Sequence, residues 1–136
     1  MKKEFISYTQ ALTLKELGFD EFCFGYYQKS AVIGDNTILP IQIRNKASNF
    51  NDNEYSKMGV PFCSAPTYSQ AFRWFREKYG LYSIVDIDSP PITFYYVITK
   101  KTQGGIGVQA EKFNINTYEE AELECLKKLI EIVKQK

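Results

Sequence analysis

The chain has 136 residues, a formal net charge of +1, 44% hydrophobic residues and 24% charged residues. These values are typical of a globular domain, and they exclude a disordered chain and a field strong enough to bind nucleic acid by net charge alone. We therefore predict a single domain over residues 1–136. Aromatic residues reach 15%, a surplus that indicates either a bulky core between sheet and helices or a partner-binding surface.

Compartment and metal chemistry follow from what the chain lacks. No apolar run approaches the ~20 residues of a membrane span or has the character of a signal peptide, so we expect a cytoplasmic protein that binds no membrane. Cys23, Cys63 and Cys125 are odd in number and widely spaced, which suits reduced thiols. Histidine is absent, so a zinc site would need carboxylates or all three thiols. We predict neither a metal site nor a cofactor.

One five-residue pattern occurs three times, at residues 7–11, 67–71 and 117–121. In each copy a Ser or Thr at the helix N-cap is followed three positions later by Gln or Glu, the capping box of a helix start. The pattern predicts helices over about 8–17, 68–79 and 118–133. Gly18 and Gly80 follow the first two helices as the left-handed residues at which a helix ends.

Strands are predicted where apolar residues recur at a period of two or form short runs, at about 21–27, 38–44, 81–88, 92–99 and 106–113. In the first of them, Phe22, Phe24 and Tyr26 are expected to share one half-buried face. Pro40 cannot donate to a ladder, so the strand around it is an edge strand or pairs only from Ile41 onward. The last two strands flank a Gly-rich turn and predict a hairpin.

Residues 45–66 change to Asn, Ser, Asp and Lys and predict a long polar loop. Such a loop is either a functional or mobile segment or an insertion without a role. The order of elements is helix, two strands, loop, helix, three strands, helix. This order predicts an α+β fold in which an antiparallel sheet of about four to five strands carries three helices.

The segments 9–21, 65–81 and 117–131, which contain the three capping patterns, resemble a family of small proteins encoded by bacteriophages, prophages and Bacteroidetes-type bacteria. The resemblance covers roughly half of the chain and leaves the 45–66 loop without a counterpart. It implies a phage-derived setting. It implies no activity, and it supplies no catalytic residues.

The residues give no catalytic constellation either. Without His, a Cys or Ser nucleophile would depend on Asp, Glu or Lys, and no motif places such a base. Cys63, in the predicted loop, is the one candidate for a reactive thiol. Asp86 and Asp88 are candidate ligands of a hard cation, although two carboxylates before a Pro-Pro turn are more typical of a solvated strand end. We predict no catalytic residues, and enzymatic activity is the least favoured interpretation.

Two surfaces are candidates for binding. A nucleic-acid surface is suggested by basic residues beside an indole on the second helix and by lysines at the hairpin tip: Arg73, Trp74, Arg76, Lys78, Lys100 and Lys101. The alternative is a solvated basic face with Trp74 at the rim of the core. Leu123 and Ile130 lie opposite the apolar stripe of the third helix, so either they form a homodimer contact or a neighbouring element covers them.

The leading interpretation is a non-enzymatic, phage-derived accessory module that binds a partner, with a protein favoured as that partner. The alternative is a nucleic-acid or nucleotide-binding module that uses the second helix and the hairpin tip.

Overall fold

The computed structural model describes residues 2–52 and 62–135. These residues form three α-helices and two three-stranded antiparallel sheets, so the predicted α+β class is confirmed. The predicted single sheet of four to five strands is wrong, because the six described strands divide equally between two sheets. The contacts of the chain separate two compact units, Met1–Thr67 and Tyr68–Lys136. Within the described ranges, no helix is both long and apolar enough to span a bilayer.

The first unit begins with a short 3-10 turn and contains one α-helix and one sheet. Its elements are α1 (Tyr8–Glu16), β1 (Cys23–Gln28), β2 (Gln42–Ser48) and β3 (Phe62–Ala65). The sheet order is β2-β1-β3, with both neighbours antiparallel to β1.

The second unit is a three-stranded meander with a helix before and after it. Its elements are α2 (Tyr68–Tyr79), β4 (Leu81–Asp88), β5 (Thr93–Thr102), β6 (Gly105–Ile115) and α3 (Tyr118–Lys134). The sheet order is β4-β5-β6, as the predicted hairpin requires. Helix α3 packs on β4 and β5, and α2 contacts both β4 and α3.

The helix ends follow the sequence pattern in part. At the end of α1, Gly18 has a φ of 94°, and the N–H groups of Gly18 and Phe19 donate to the carbonyls of Lys15 and Leu14. These two bonds form a Schellman motif, which satisfies carbonyls that the helix itself leaves unpaired. At the start of α3, Thr117 Oγ1 accepts from the N–H of Glu120 at 3.1 Å, as the capping box predicts.

The N-terminus of α1 lacks the predicted bond between the N-cap side chain and the helix backbone. Ser7 is the N-cap residue, but its side chain makes no bond to the helix backbone. Its hydroxyl donates instead to the side-chain carbonyl of Gln10. Gln10 is a buried polar residue, and a buried carbonyl oxygen needs a donor more than a partly solvated helix end does.

The aromatic face predicted for β1 does not form. The pairing of β1 with β2 shifts register between Cys23 and Gly25, and this irregularity interrupts the alternation of side chains. As a result, Tyr26 is buried while Phe22 and Phe24 are 67% and 52% exposed. Gly25 is required at this point, since a Cβ atom there would lie 2.9 Å from the Ala65 carbonyl oxygen.

The predicted 45–66 loop is shorter than expected. Strand β2 continues to Ser48, and Phe62–Ala65 is a fully buried strand at the sheet edge. Neither strand shows an apolar-polar alternation, because β2 is mostly exposed and β3 is buried on both faces. Pairing of β2 begins at Gln42, which agrees with a ladder that excludes Pro40. Residues 53–61 of the predicted loop lie outside the described residues.

The core of the first unit joins β1 and β3 to the turn after β2. The rings of Tyr26, Phe50 and Phe62 stack, with Tyr26 4.5 Å from Phe50 and 5.3 Å from Phe62 between centroids. Asn51 fixes the position of this turn through two hydrogen bonds. Its Nδ2 donates to the Phe19 carbonyl, and its Oδ1 accepts from the Ser64 N–H, each at 2.9 Å.

Candidate binding face of the second sheet

Alternation along β5 defines two faces of the second sheet. Tyr96 and Ile98 are buried, and they lie on the face that α3 covers. This face carries the one ion pair between sheet and helix in the described ranges, in which the Lys112 ammonium donates to the Glu124 carboxylate at 2.5 Å. Burial also raises the pKa of Tyr96. Residues at the intervening positions point to the opposite side of the sheet.

The opposite side, which we call the open face, carries mostly apolar side chains near its centre, with Glu111 as the charged residue there. The register places Ile84 beside Val97 and Tyr82 beside Thr99 on β4 and β5, and Thr99 beside Val108 on β5 and β6. Five large apolar side chains on this side are exposed: Tyr82, Ile84, Ile106, Val108 and Phe113. Ile84 is 56% exposed and Ile106 is 76% exposed. A sheet normally buries such a face against another layer, so this surface is unusual for a free sheet.

The hairpin end of the open face contains a cavity of about 530 Å³. Its lining consists of Tyr82, Thr99, Lys101, Thr102, Gln103, Gly105 and Ile106. The lining combines an aromatic ring and an aliphatic side chain with hydroxyl groups and one ammonium group. A cavity of this chemistry fits an apolar side chain that stands beside an acidic group.

Most charged groups of the open face lie near its two ends, and one carboxylate, that of Glu111, lies beside Val97 near the middle. Lys101 pairs with Ile106 next to the hairpin turn, whereas Asp86 and Asp88 pair with Tyr95 and Thr93 near the other end. Lys101 lies six positions after Tyr95 on β5, a distance of roughly 20 Å along an extended strand. The face therefore has a basic end and an acidic end, and the surface between them is apolar except for Glu111.

The predicted nucleic-acid surface is formed only in part. Arg73, Arg76 and Lys78 are exposed on α2, as expected. Trp74 is 5% exposed, so the expectation of an exposed indole is wrong. Its ring packs edge-on against Phe75 at 5.1 Å between centroids, and the Lys78 ammonium lies 4.9 Å from its centroid. The indole belongs to the core of the second unit and is not a platform for stacking bases.

The two hairpin lysines lie on opposite faces of the sheet. Lys100 pairs with Leu81 and Gly107, on the face that α3 covers, and Lys101 pairs with Ile106 on the open face. The structure therefore does not bring the six predicted residues into one surface.

The predicted helix contact is also formed only in part. Ile130 is 9% exposed, so its side chain is covered by a neighbouring element of the protein and is not available for a homodimer contact. Leu123 is half-buried and lines a shallow groove of about 340 Å³ with Glu120 and Glu124. An exposed pair of aliphatic side chains is therefore absent from α3.

The thiols offer no reactive group. Cys63 is buried in β3, which contradicts its predicted place in an open loop, and burial raises the pKa of its thiol to about 11. Burial likewise raises the pKa of Cys125 to about 12. A nucleophilic cysteine needs the opposite shift.

The Asp86 and Asp88 carboxylates accept from the backbone N–H groups of Ile87 and Ser89, each at 2.8 Å. These bonds fit the predicted solvated strand end. The described part of the chain contains no cluster of three or more metal-ligating side chains.

The open face was not predicted as a site. The signal was present in the alternating aliphatic residues of β4, β5 and β6 and in the aromatic surplus of the chain. Periodicity shows that these side chains share a face, but it does not show which of the two faces the helices cover.

Comparison of the chain with family models, with curated proteins and with solved structures gives no match.

Proposed function

We propose that this chain is a non-enzymatic binding module and that the open face of the second sheet binds a protein. The observation that supports this proposal is the exposure of apolar side chains on both outer strands of the sheet, Ile84 on β4 and Ile106 and Val108 on β6, on either side of the partly exposed Val97 of β5. Contiguous apolar surface with charges at its border is typical of protein-binding sites. The phage-derived setting implied by the resemblance remains an expectation about origin.

The absence of an activated nucleophile among the thiols favours binding over catalysis. Both Cys63 and Cys125 are buried with a raised pKa. The cavity at the hairpin end supports the same interpretation, because it can accept one side chain of a partner next to Lys101.

A photo-crosslinking experiment tests the proposal. A photoreactive amino acid replaces Ile84, which is on the open face, or Lys127, an exposed residue of α3, in cells that produce the protein. We expect a covalent protein adduct from position 84 and none from position 127. Val108→Lys, at another exposed position of the open face, should remove the adduct. If no adduct is specific to position 84, the proposal is wrong.

The alternative, nucleic-acid or nucleotide binding by α2, is favoured by the exposure of Arg73 and Arg76. Two contacts weaken it: Arg73 lies 4.0 Å from the Glu77 carboxylate, and Lys78 is held over the Trp74 ring. Titration with a single-stranded oligonucleotide at low salt tests it. Salt-sensitive binding that Arg76→Glu abolishes would support this alternative, because neutralised phosphates release counterions.

A further inference from the structure

We infer that the protein occupying the open face is a second copy of this chain, packed sheet against sheet in a two-fold dimer. This inference rests on the proposed function and adds the identity of the partner. Its basis is the distribution of charge on the open face, with Lys101 at one end and Asp86 and Asp88 at the other.

The symmetry of a dimer decides which ends meet. In a face-to-face contact the two-fold axis lies between the sheets. An axis parallel to the strands would place Lys101 of one copy over Lys101 of the other. An axis perpendicular to the strands reverses the strand direction, so Lys101 of each copy lies over the Asp86 and Asp88 end of its partner. Only this arrangement pairs opposite charges, and it forms two equivalent ionic contacts.

The same axis places apolar side chains at the centre of the interface, together with the Glu111 carboxylate that lies beside Val97 on β6. The midpoint between Tyr95 and Lys101 on β5 falls between Val97 and Thr99, with Ile84 on β4 and Val108 on β6 beside them. Two sheets packed about 10 Å apart interdigitate such side chains and exclude water from them. The exposed aliphatic surface is thus buried in the contact.

The charge of the open face disfavours a polyanion as its occupant. Three carboxylates, those of Asp86, Asp88 and Glu111, share the face with the single ammonium of Lys101, a difference of −2. A phosphate backbone laid along the strands would be repelled by the acidic end. A second copy carries the same difference of −2, but unlike a phosphate backbone it also places an ammonium group, that of Lys101, against each acidic end.

The size of the face sets the expected strength of the dimer. Strand β5 has ten residues, and three strands of this length cover roughly 30 by 14 Å. Two such footprints bury roughly 800 Å² in total, which is below the range of stable interfaces and typical of weak, transient contacts. We therefore expect a dimer that dissociates on dilution, with a Kd of roughly 100 µM.

The test measures the molar mass of the full chain by analytical ultracentrifugation from about 10 µM to about 1 mM. The wild-type protein should approach dimer mass at the upper end of this range. Lys101→Glu places like charges at both ionic contacts, and Asp86→Lys sets a second ammonium group against Lys101 with only Asp88 left as its opposite charge; each variant should raise Kd roughly tenfold. Lys127→Glu, the same charge reversal on α3, should leave Kd unchanged.

Mixing the two single variants gives the decisive result. In a heterodimer of Lys101→Glu with Asp86→Lys, the two exchanged charges face each other at one contact and the unchanged Lys101 faces Asp86 and Asp88 at the other, so the mixture should dimerise more tightly than either variant alone. Added salt should reduce the difference between variants. The inference is overturned if the wild type stays monomeric, if the mixture does not dimerise, or if Lys101→Glu has no effect on an existing dimer.

These outcomes remain separate from those of the proposed function. A monomeric wild type whose position 84 still crosslinks to a different protein would overturn the second copy as the partner and leave the open face as a binding site. A salt-sensitive complex of the open face with an oligonucleotide, abolished by Lys101→Glu, would overturn both.

Discussion

The ring of Tyr95 stacks on the ring of Phe113 across β5 and β6, with 5.2 Å between centroids and 24° between planes. Phe113 is 44% exposed, so this pair forms part of the surface of the open face. It also lies beside the shift in register between Phe94 and Tyr96. An aromatic pair at this point fixes the alignment of the edge strand where its regular ladder is interrupted.

A double-mutant cycle should detect this pair. We expect Tyr95→Ala and Phe113→Ala to be coupled by about 0.5–1.5 kcal/mol in the free energy of unfolding, measured by urea denaturation. Tyr95→Phe keeps both rings and is the control that should retain the coupling. Strict additivity of the two alanine variants would show that the rings do not stabilise each other.

Asn51 should be among the most sensitive polar residues of the first unit. Asn51→Ala removes the donor to the Phe19 carbonyl and the acceptor of the Ser64 N–H, and each buried group left unpaired costs about 1–3 kcal/mol. We expect a loss of stability of at least about 2 kcal/mol in chemical denaturation. Asn49→Ala is a control, since within the described ranges the Asn49 side chain accepts one bond, from the neighbouring Asn51 N–H. Equal effects of the two variants would contradict this prediction.

The hydroxyl group of Thr117 should stabilise α3 through its bond to the Glu120 N–H, and the methyl group of Thr117 should contribute little. Thr117→Ala removes the acceptor of the Glu120 N–H and should cost about 0.5–2 kcal/mol. Thr117→Ser keeps the hydroxyl group and should retain most of the stability in thermal denaturation followed by circular dichroism. If Thr117→Ser loses as much as Thr117→Ala, the hydroxyl group is not the stabilising element.

The sequence predicted local structure well where one local rule applies. The Schellman end at Gly18 and the cap at Thr117 depend on residues within one turn of the helix. Strand β3 was missed because a four-residue strand buried on both faces has no alternation. The exposed Phe22 was misplaced because a bulge depends on the partner strand and not on the strand itself.

The candidate site was less predictable for a related reason. A helical wheel shows that Trp74 flanks the apolar stripe of α2, but its burial depends on contacts with other elements of the second unit. The same holds for Lys100 and Lys101, whose separation onto two faces follows from strand pairing. Composition left open whether the aromatic surplus forms a bulky core or a partner-binding surface, and only the tertiary structure distinguishes the covered from the open face.

The buried thiols predict a loss of stability at alkaline pH. The pKa of Cys125 is raised by burial from 9.0 to about 12, so the folded protein favours the protonated thiol. This contribution is fully present below about pH 9 and is lost as pH rises towards 12. We expect the midpoint of urea denaturation to fall over this range. Cys125→Ala should show a shallower fall than the wild type, and an identical slope would contradict the assignment.

Ile130 should behave as a core residue and Leu123 as a partly exposed one. Ile130 is 9% exposed on α3, and truncation of a buried aliphatic side chain typically costs about 2–5 kcal/mol. Ile130→Ala should therefore lower the free energy of unfolding by about 2–4 kcal/mol, whereas Leu123→Ala, at a half-buried position, should cost less than half as much. Chemical denaturation measures both.

Charged substitutions at Ile130 and Leu123 distinguish a core position of Ile130 from a dimer contact through α3. Ile130→Lys places a charge in the core and should unfold the second unit or lower its melting temperature steeply, because the ammonium group has no partner there. Leu123→Glu should remain folded, with the same dependence of molar mass on concentration as the wild type. If Ile130→Lys stays fully folded and only its molar mass decreases, Ile130 belongs to a contact between subunits and not to the core.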